Sequence, residues 1–303
     1  MAVMKFPLIA VDIGNARMKV GMFGPFSADA LPEKKGTKKG TGSERSEVPV
    51  PLSDSEVPAP LFSLPEPLRT LSLDGQSPDL DRLHPWLDDL VKQQLHWYLA
   101  SVNRPIATGL IDWLHERRPM DSITLLSAGD LPLKVRLERP DMVGIDRLVD
   151  AVAVNRLRQP GRAAVIVDVG TAITVDLVSA DGAFLGGAIL PGLEMSARAM
   201  HQFTDLLPLI DVAEFNNPPP ALGTSTQTAM QSGLFWGTVG AIRELITQLG
   251  HGLTKQLDCD VVARPQIFLT GGAGATVAEL LAPDARYVPH LTLAGIALSI
   301  ANG

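Results

Sequence analysis

Cysteine occurs once in the 303 residues, at Cys259, so neither an intrachain disulfide nor a paired-cysteine zinc site can form. The six histidines, at 84, 96, 115, 201, 251 and 290, lack metal-ligand spacing. No apolar run approaches the roughly 20 residues that a membrane-spanning helix needs. The opening run MAVMKFPLIAVDIG is interrupted by Asp12 and has no small-residue cleavage pattern, so it does not read as a secretion signal. Positive charge is also short: with a formal net charge of -7, most of the surface repels a nucleic-acid backbone. These absences leave a cytoplasmic protein with a small-molecule partner, without membrane or nucleic acid. Hydrophobic residues at 46% and charged residues at 19% are near globular averages, and the length suits two domains.

Residues 24–85 stand apart, holding 10 of the 24 prolines and the polar stretch EKKGTKKGTGSERSE. Such a segment buries too little apolar surface to offset its ordering entropy, which predicts a disordered insertion near 27–60. Elsewhere the chain repeats itself. LIAVDIGNARMKVGMFG at 8–24 is similar to AAVIVDVGTAITVDLVSADG at 163–182, with Asp12, Gly14 and Ala16 falling on Asp168, Gly170 and Ala172 after a shift of 156 positions. Each copy reads as two strands joined by a tight turn at Asp-x-Gly. Helical patterns cover 145–158, 193–206 and 225–249, the last opened by Thr224 with Gln227 as a capping box. Strand PQIFLT runs into GGAGA and helix TVAELLA. The expectation is a duplicated α/β fold with an N-terminal domain over 1–142 and a C-terminal domain over 143–303, and with ligands at strand ends.

At Asp12-Ile13-Gly14-Asn15, glycine lets backbone N–H groups face an anion, and the carboxylate suits Mg²⁺ or its waters. Lys19, on the second strand, is placed to neutralise phosphate. A plain β-turn explains one such copy; two copies half a chain apart favour a shared phosphate role. Asp168 through Thr174 ends in a carboxylate and two hydroxyls, Thr171 and Thr174, which serve a cation and phosphate oxygens. Gly271 and Gly272 permit close approach of a phosphate or flat ligand, or form only a strand-to-helix turn. In Gly144-Ile145-Asp146-Arg147, arginine suits a substrate carboxylate and Asp146 can accept a hydroxyl proton; the alternative is a helix-start charge favoured by the dipole. Gly233, Gly237 and Gly240 give one helix a small-residue face, for an interface or for packing within one subunit.

GIDRLVDAVA, DVGTAITVDLVSADGAFLGGAILPGLEMSARAM, LGTSTQTAMQSGLFWG and LTGGAGA, in this order, resemble the type III pantothenate kinases, of the superfamily of acetate and sugar kinases, chaperone ATPases and actin. The resemblance implies duplicated actin-like (ribonuclease H-like) domains with mixed sheets flanked by helices. It implies a homodimer that phosphorylates pantothenate with ATP, Mg²⁺ and a monovalent cation, K⁺ or NH₄⁺, at the first step toward coenzyme A. By position, Asp12, Gly14, Asn15 and Lys19 belong to the phosphate site, with Mg²⁺ at Asp12 and ATP also at Thr171, Gly271 and Gly272. Asp146 is implied as the base, Gly144, Ile145, Asp146, Arg147 and Thr226 as pantothenate contacts, and Asp168 as the monovalent-cation ligand. Ala16 stands where the family usually has serine or threonine, and Leu137 where it often has tyrosine. Two other functions are compatible: a kinase for another small hydroxy acid, or a non-catalytic regulatory homologue.

Overall fold

A computed structural model of the chain describes residues 7–25, 63–87, 90, 92–212, 217–257 and 264–300. The insertion expected near 27–60 and Cys259 lie outside the described residues.

Among the described residues, ten strands form two sheets. The first contains β1 (Leu8–Ile13), β2 (Arg17–Phe23), β3 (Arg69–Asp74), β4 (His96–Ser101) and β5 (Ser122–Leu125), in the order β3-β2-β1-β4-β5. The second contains β6 (Ala164–Val169), β7 (Ala172–Val178), β8 (Phe184–Pro191), β9 (Gln266–Thr270) and β10 (Arg286–Tyr287), in the order β8-β7-β6-β9-β10. The two orders are the same. In each, three antiparallel strands are extended by two parallel ones. The helices are α1 (Leu83–Trp86), α2 (Arg104–Arg117), α3 (Ile145–Leu157), α4 (Leu193–Gln202), α5 (Thr226–Leu257), α6 (Gly274–Leu281) and α7 (Leu291–Ile300). This is the duplicated actin-like α/β architecture that the sequence implied.

Helices α3 and α7 fill the space between the sheets. They share a core with Leu8, Ala10 and Phe23 of the first sheet and Ala164, Ile166, Phe184 and Phe268 of the second. Both helices are buried nearly all round, as a helix apolar on every side must be: every residue from Leu291 to Ser299 is buried, and so is every one from Leu148 to Val154. The outer face of the first sheet packs on α1 and α2, and that of the second on α5 and α6. Among the described residues no helix is long and apolar enough to cross a membrane.

Local details differ from the sequence reading in three places. The helix start at 225 uses Ser225 and Thr228 in place of Thr224 and Gln227: the Thr228 N–H donates to Ser225 Oγ at 3.2 Å and the Ser225 N–H to Thr228 Oγ1 at 2.9 Å. Once started, α5 runs on to Leu257. Helix α4 stops at Gln202, ahead of the turn-favouring Thr204 and Asp205 and before Pro208.

Candidate active site

Strand alternation decides which side chains meet. In β1, Ile9, Val11 and Ile13 pack outward on α2, so Leu8, Ala10 and Asp12 face the layer between the sheets. The same parity turns Lys19 inward from β2, Asp168 from β6, and Thr174 and Asp176 from β7. Asp12 and Asp168 also lie at the C-terminal ends of the parallel pairs β1/β4 and β6/β9, where α/β sheets gather ligands. Into this space α3 brings Asp146 in its first turn and Asp150 one turn later on the same face.

The result is a concentration of negative charge with little to balance it. Burial pushes the Asp12 carboxyl up to about 7, against the attraction of Lys19, with repulsion from Asp146 and Asp168 adding to it. Burial likewise raises Asp168 to about 6, again against Lys19 and with Asp146 and Asp176 adding. Asp146 is raised by burial, partly offset by the Arg147 N–H, which donates to its Oδ1 at 2.9 Å. Lys19 sits opposite Asp12 in the hairpin register, its Nζ 4.0 Å from Oδ2. Carboxyls displaced in this way are characteristic of functional sites.

Each predicted residue can now be placed. Gly14 and Asn15 form a four-residue turn closed by the Gly14 N–H to the Arg17 carbonyl at 3.0 Å. The second turn is one residue shorter, Gly170 donating to the Ala172 carbonyl at 3.2 Å. The 156-residue shift therefore holds through Gly14 and Gly170 and becomes 155 beyond them. Ala16 and Ala172 are not equivalent, and Lys19 corresponds to Thr174, each opposite its aspartate. Thr171 is exposed in the second turn. Gly271 has φ +89°, and a Cβ there would collide with Asp168 Oδ1, so only glycine lets this loop close over the carboxylate. Gly272 is exposed just ahead of α6. Gly144 caps α3, where a Cβ would lie 2.5 Å from Asp146 Oδ1, and Ile145 is buried in the central core. Thr226 is exposed in the first turn of α5, and among the described residues no hydrogen bond or ion pair joins it to the carboxylates.

Arg147 differs from expectation. Its fork is occupied by Asp176, with Nε 3.1 and 3.0 Å from the two carboxylate oxygens and Nη2 bonded to Oδ1. Its guanidinium also lies over the Phe184 ring, 5.7 Å from the centroid. Only the outer end of the guanidinium is left for a ligand. Leu137 borders this wall, its Cδ2 3.2 Å from where a Cβ on Gly186 would stand.

Two site residues escaped the sequence reading. Asp176 is 1% exposed and Asp150 3%. The Asp150 carboxyl is held well above the usual carboxylate range by burial and by the neighbouring Asp168, Asp146 and Asp12; Thr292 of α7 hydrogen-bonds to it, and its Oδ1 has no partner. The signal was present in both cases: a lone carboxylate inside an apolar run, ITVDLV and LVDAVA. Gly233 and Gly237 line a separate groove of about 200 Å³ with Ile173, Leu190 and Ile242, against the outer side of the second sheet.

The chain is 38% identical over 164 residues to a type III pantothenate kinase of Dehalococcoides mccartyi, covering 54% of this chain and 58% of that protein. It is 37% identical over 167 residues to that of Paramagnetospirillum magneticum, covering 55% and 59%. The chain thus matches between half and two thirds of the length of these curated relatives. Among solved structures, it is similar to MreB5 of Spiroplasma citri bound to ADP (TM-score 0.49, 10% identity, 98% of this chain and 96% of that one). It is also similar to a glucokinase from an Antarctic psychrotroph (TM-score 0.41, 10% identity, 99% and 100%). The family model for type III pantothenate kinase matches residues 68–248, more than half of the sequence, and the chain belongs to that family.

Proposed function

We propose that this chain transfers the terminal phosphate of ATP to the primary hydroxyl of pantothenate, giving 4'-phosphopantothenate. The observation that carries the reading is the convergence of Asp12, Lys19, Asp146 and Asp168 on one space between the sheets, within a chain of this family. Asp146, raised by burial and in no side-chain ion pair among the described residues, accepts the hydroxyl proton as the oxygen forms its bond to the γ-phosphorus and the bond to the ADP oxygen breaks. Lys19 offsets phosphate charge, and the turns at Gly14-Asn15 and Gly170-Thr171, with Gly271-Gly272, give backbone N–H groups to the nucleotide. Gly144 and Ile145, the outer end of Arg147, and Thr226 contact pantothenate.

The carboxylates fit cations. Among the described residues no group of three or more His, Cys, Asp or Glu forms a ligand cage. Mg²⁺ takes one or two carboxylates and completes its shell with water and phosphate oxygens. Asp12 would hold Mg²⁺, and Asp168 a monovalent cation, K⁺ or NH₄⁺. When bound, such ions neutralise charge on the transferring phosphate.

The same reading divides the chain after residue 142, the first half supplying Asp12 and Lys19 and the second Asp146 and Asp168. It places the protein in the cytoplasm as a homodimer, with no nucleic-acid partner. The second copy is supported by the exposed apolar side chains Ile189, Met195, Phe203, Leu206 and Leu222 on and after β8. A coupled ADP-release assay with pantothenate, with and without K⁺, tests the function. Turnover of pantothenate supports it; turnover only of another small hydroxy acid, or none, overturns it.

A further inference from the structure

Asp146 and Arg147 are adjacent in sequence, so a proton acceptor and a strong cation share one helix turn. A guanidinium that swung back to Asp146 would pair with that carboxylate, and a paired carboxylate is a poor base. In this structure the pairing does not occur. The guanidinium is drawn to β7, where Asp176 takes both Nε and Nη2, and the pair is almost fully enclosed, with side-chain exposures of 14% for Arg147 and 2% for Asp176. The ring of Phe184 backs the guanidinium on that side. At Gly187 of β8 a Cβ would lie 2.6 Å from Asp176 Oδ1, so the strand leaves room for this carboxylate and for little else. The Arg147 backbone N–H donates to the Asp146 carboxylate.

We infer that Asp176 is a positioning residue: by holding the Arg147 guanidinium on β7 it anchors the first turn of α3 and keeps the cation off Asp146, leaving that carboxylate open to the substrate hydroxyl. The inference rests on Asp146 being the base. The charged groups acting on Asp146 are Arg147 on its own helix turn, Asp176 of β7, Asp12 of β1, Asp150 of α3 and Asp168 of β6. Of these only Arg147 is a cation, and Asp176 is the group that occupies it; Lys19 of β2, the other cation facing this space, lies against Asp12.

The test is the pH dependence of kcat at saturating ATP and pantothenate. In Asp176→Asn the guanidinium loses its anionic partner and turns to Asp146. The acidic limb should then move to lower pH, with the plateau kcat reduced about tenfold or more and the KM for ATP within about twofold, since only groups around the base have changed. Arg147→Gln removes the cation and leaves Asp176 unpaired, so its limb should move to higher pH. The double variant Arg147→Gln/Asp176→Asn buries no uncompensated charge, which protects its folding if a single variant fails. Its limb should return toward the wild-type position, and its kcat should exceed that of Asp176→Asn. A double variant no better than Asp176→Asn, or limbs that stay in place while only melting temperature changes, would overturn the inference and leave the pair a structural strut. A wild-type chain that does not turn over pantothenate would instead overturn the proposed function.

Discussion

Lys19 faces Asp12 across the β1–β2 hairpin, Nζ to Oδ2 at 4.0 Å, and its charge is felt as far as Asp168 on the other sheet. One lysine thus serves carboxylates from both halves of the chain. Lys19→Met should let Asp12 and Asp168 hold their protons to still higher pH, because the one group that lowers both is gone. It should also weaken ATP binding by about tenfold or more, the equivalent of about 1.4 kcal/mol. Titration of ATP by calorimetry checks this, and unchanged affinity would remove Lys19 from the phosphate site.

The displaced carboxyls set how stability depends on pH. Asp12 titrates at about 7 and Asp168 at about 6 in the folded chain, against an ordinary value of 3.8 for each. Between about pH 4 and 7 the folded state therefore holds protons that the unfolded state has released, and stability falls as pH rises through this window. Exposed Asp74, Asp130, Asp141 and Asp181 are shifted the other way and contribute weakly, only below the ordinary carboxylate range. The ligand-free protein should melt higher at pH 5 than at pH 8, and Mg²⁺ or K⁺ should recover part of the loss at pH 8 alone. A melting temperature that rises from pH 5 to 8 in cation-free buffer would contradict this assignment.

Much of this site was legible in the sequence because the repeat placed Asp12 and Asp168 at equivalent strand ends, and the Gly-x-Asp-Arg segment read as a helix start. What could not be read was the facing of the strands. Both faces of β1 and β6 are buried, so their apolar runs do not tell inward from outward, and the same ambiguity in β7 hid Asp176. The one-residue difference between the turns at Gly14 and Gly170 was hidden for a related reason: a chance Ala16–Ala172 match fitted the longer shift, whereas strand pairing aligns Lys19 with Thr174. That Asp176 would take the arginine fork depends on a contact between residues 29 positions apart, which no local pattern encodes.

Asp150 offers a separate test, because its Oδ1 is buried without a partner while its neighbours Val149 and Ala151 to Val154 belong to the apolar core. As a neutral acid it is tolerated; forced to ionise, it becomes an uncompensated buried charge. Asp150→Asn keeps the shape and cannot ionise. The variant should match the wild type in thermal stability at acid pH and exceed it at alkaline pH, by roughly 1–3 kcal/mol. Equal stability at both pH values would mean that Asp150 finds a compensating partner at high pH.

Asp146→Asn bears most directly on the chemistry. The substitution keeps size and the hydrogen bond from the Arg147 N–H, and removes only the ability to accept a proton. General-base assistance is worth about 10² to 10⁴ in rate, so kcat should fall within that range while the KM for ATP stays nearly constant, the turns at Gly14 and Gly271 being untouched. The pH profile carries a second expectation. Burial raises the Asp146 carboxyl above its ordinary value, so the wild-type kcat should climb with pH along a limb placed above the usual carboxylate range. That limb should vanish in the variant, since asparagine has no proton to lose. If the variant kept near-normal kcat and the limb, the carboxylate would be a helix-start charge favoured by the α3 dipole. Asp12, with its carboxyl at about 7, would then be the base to test next.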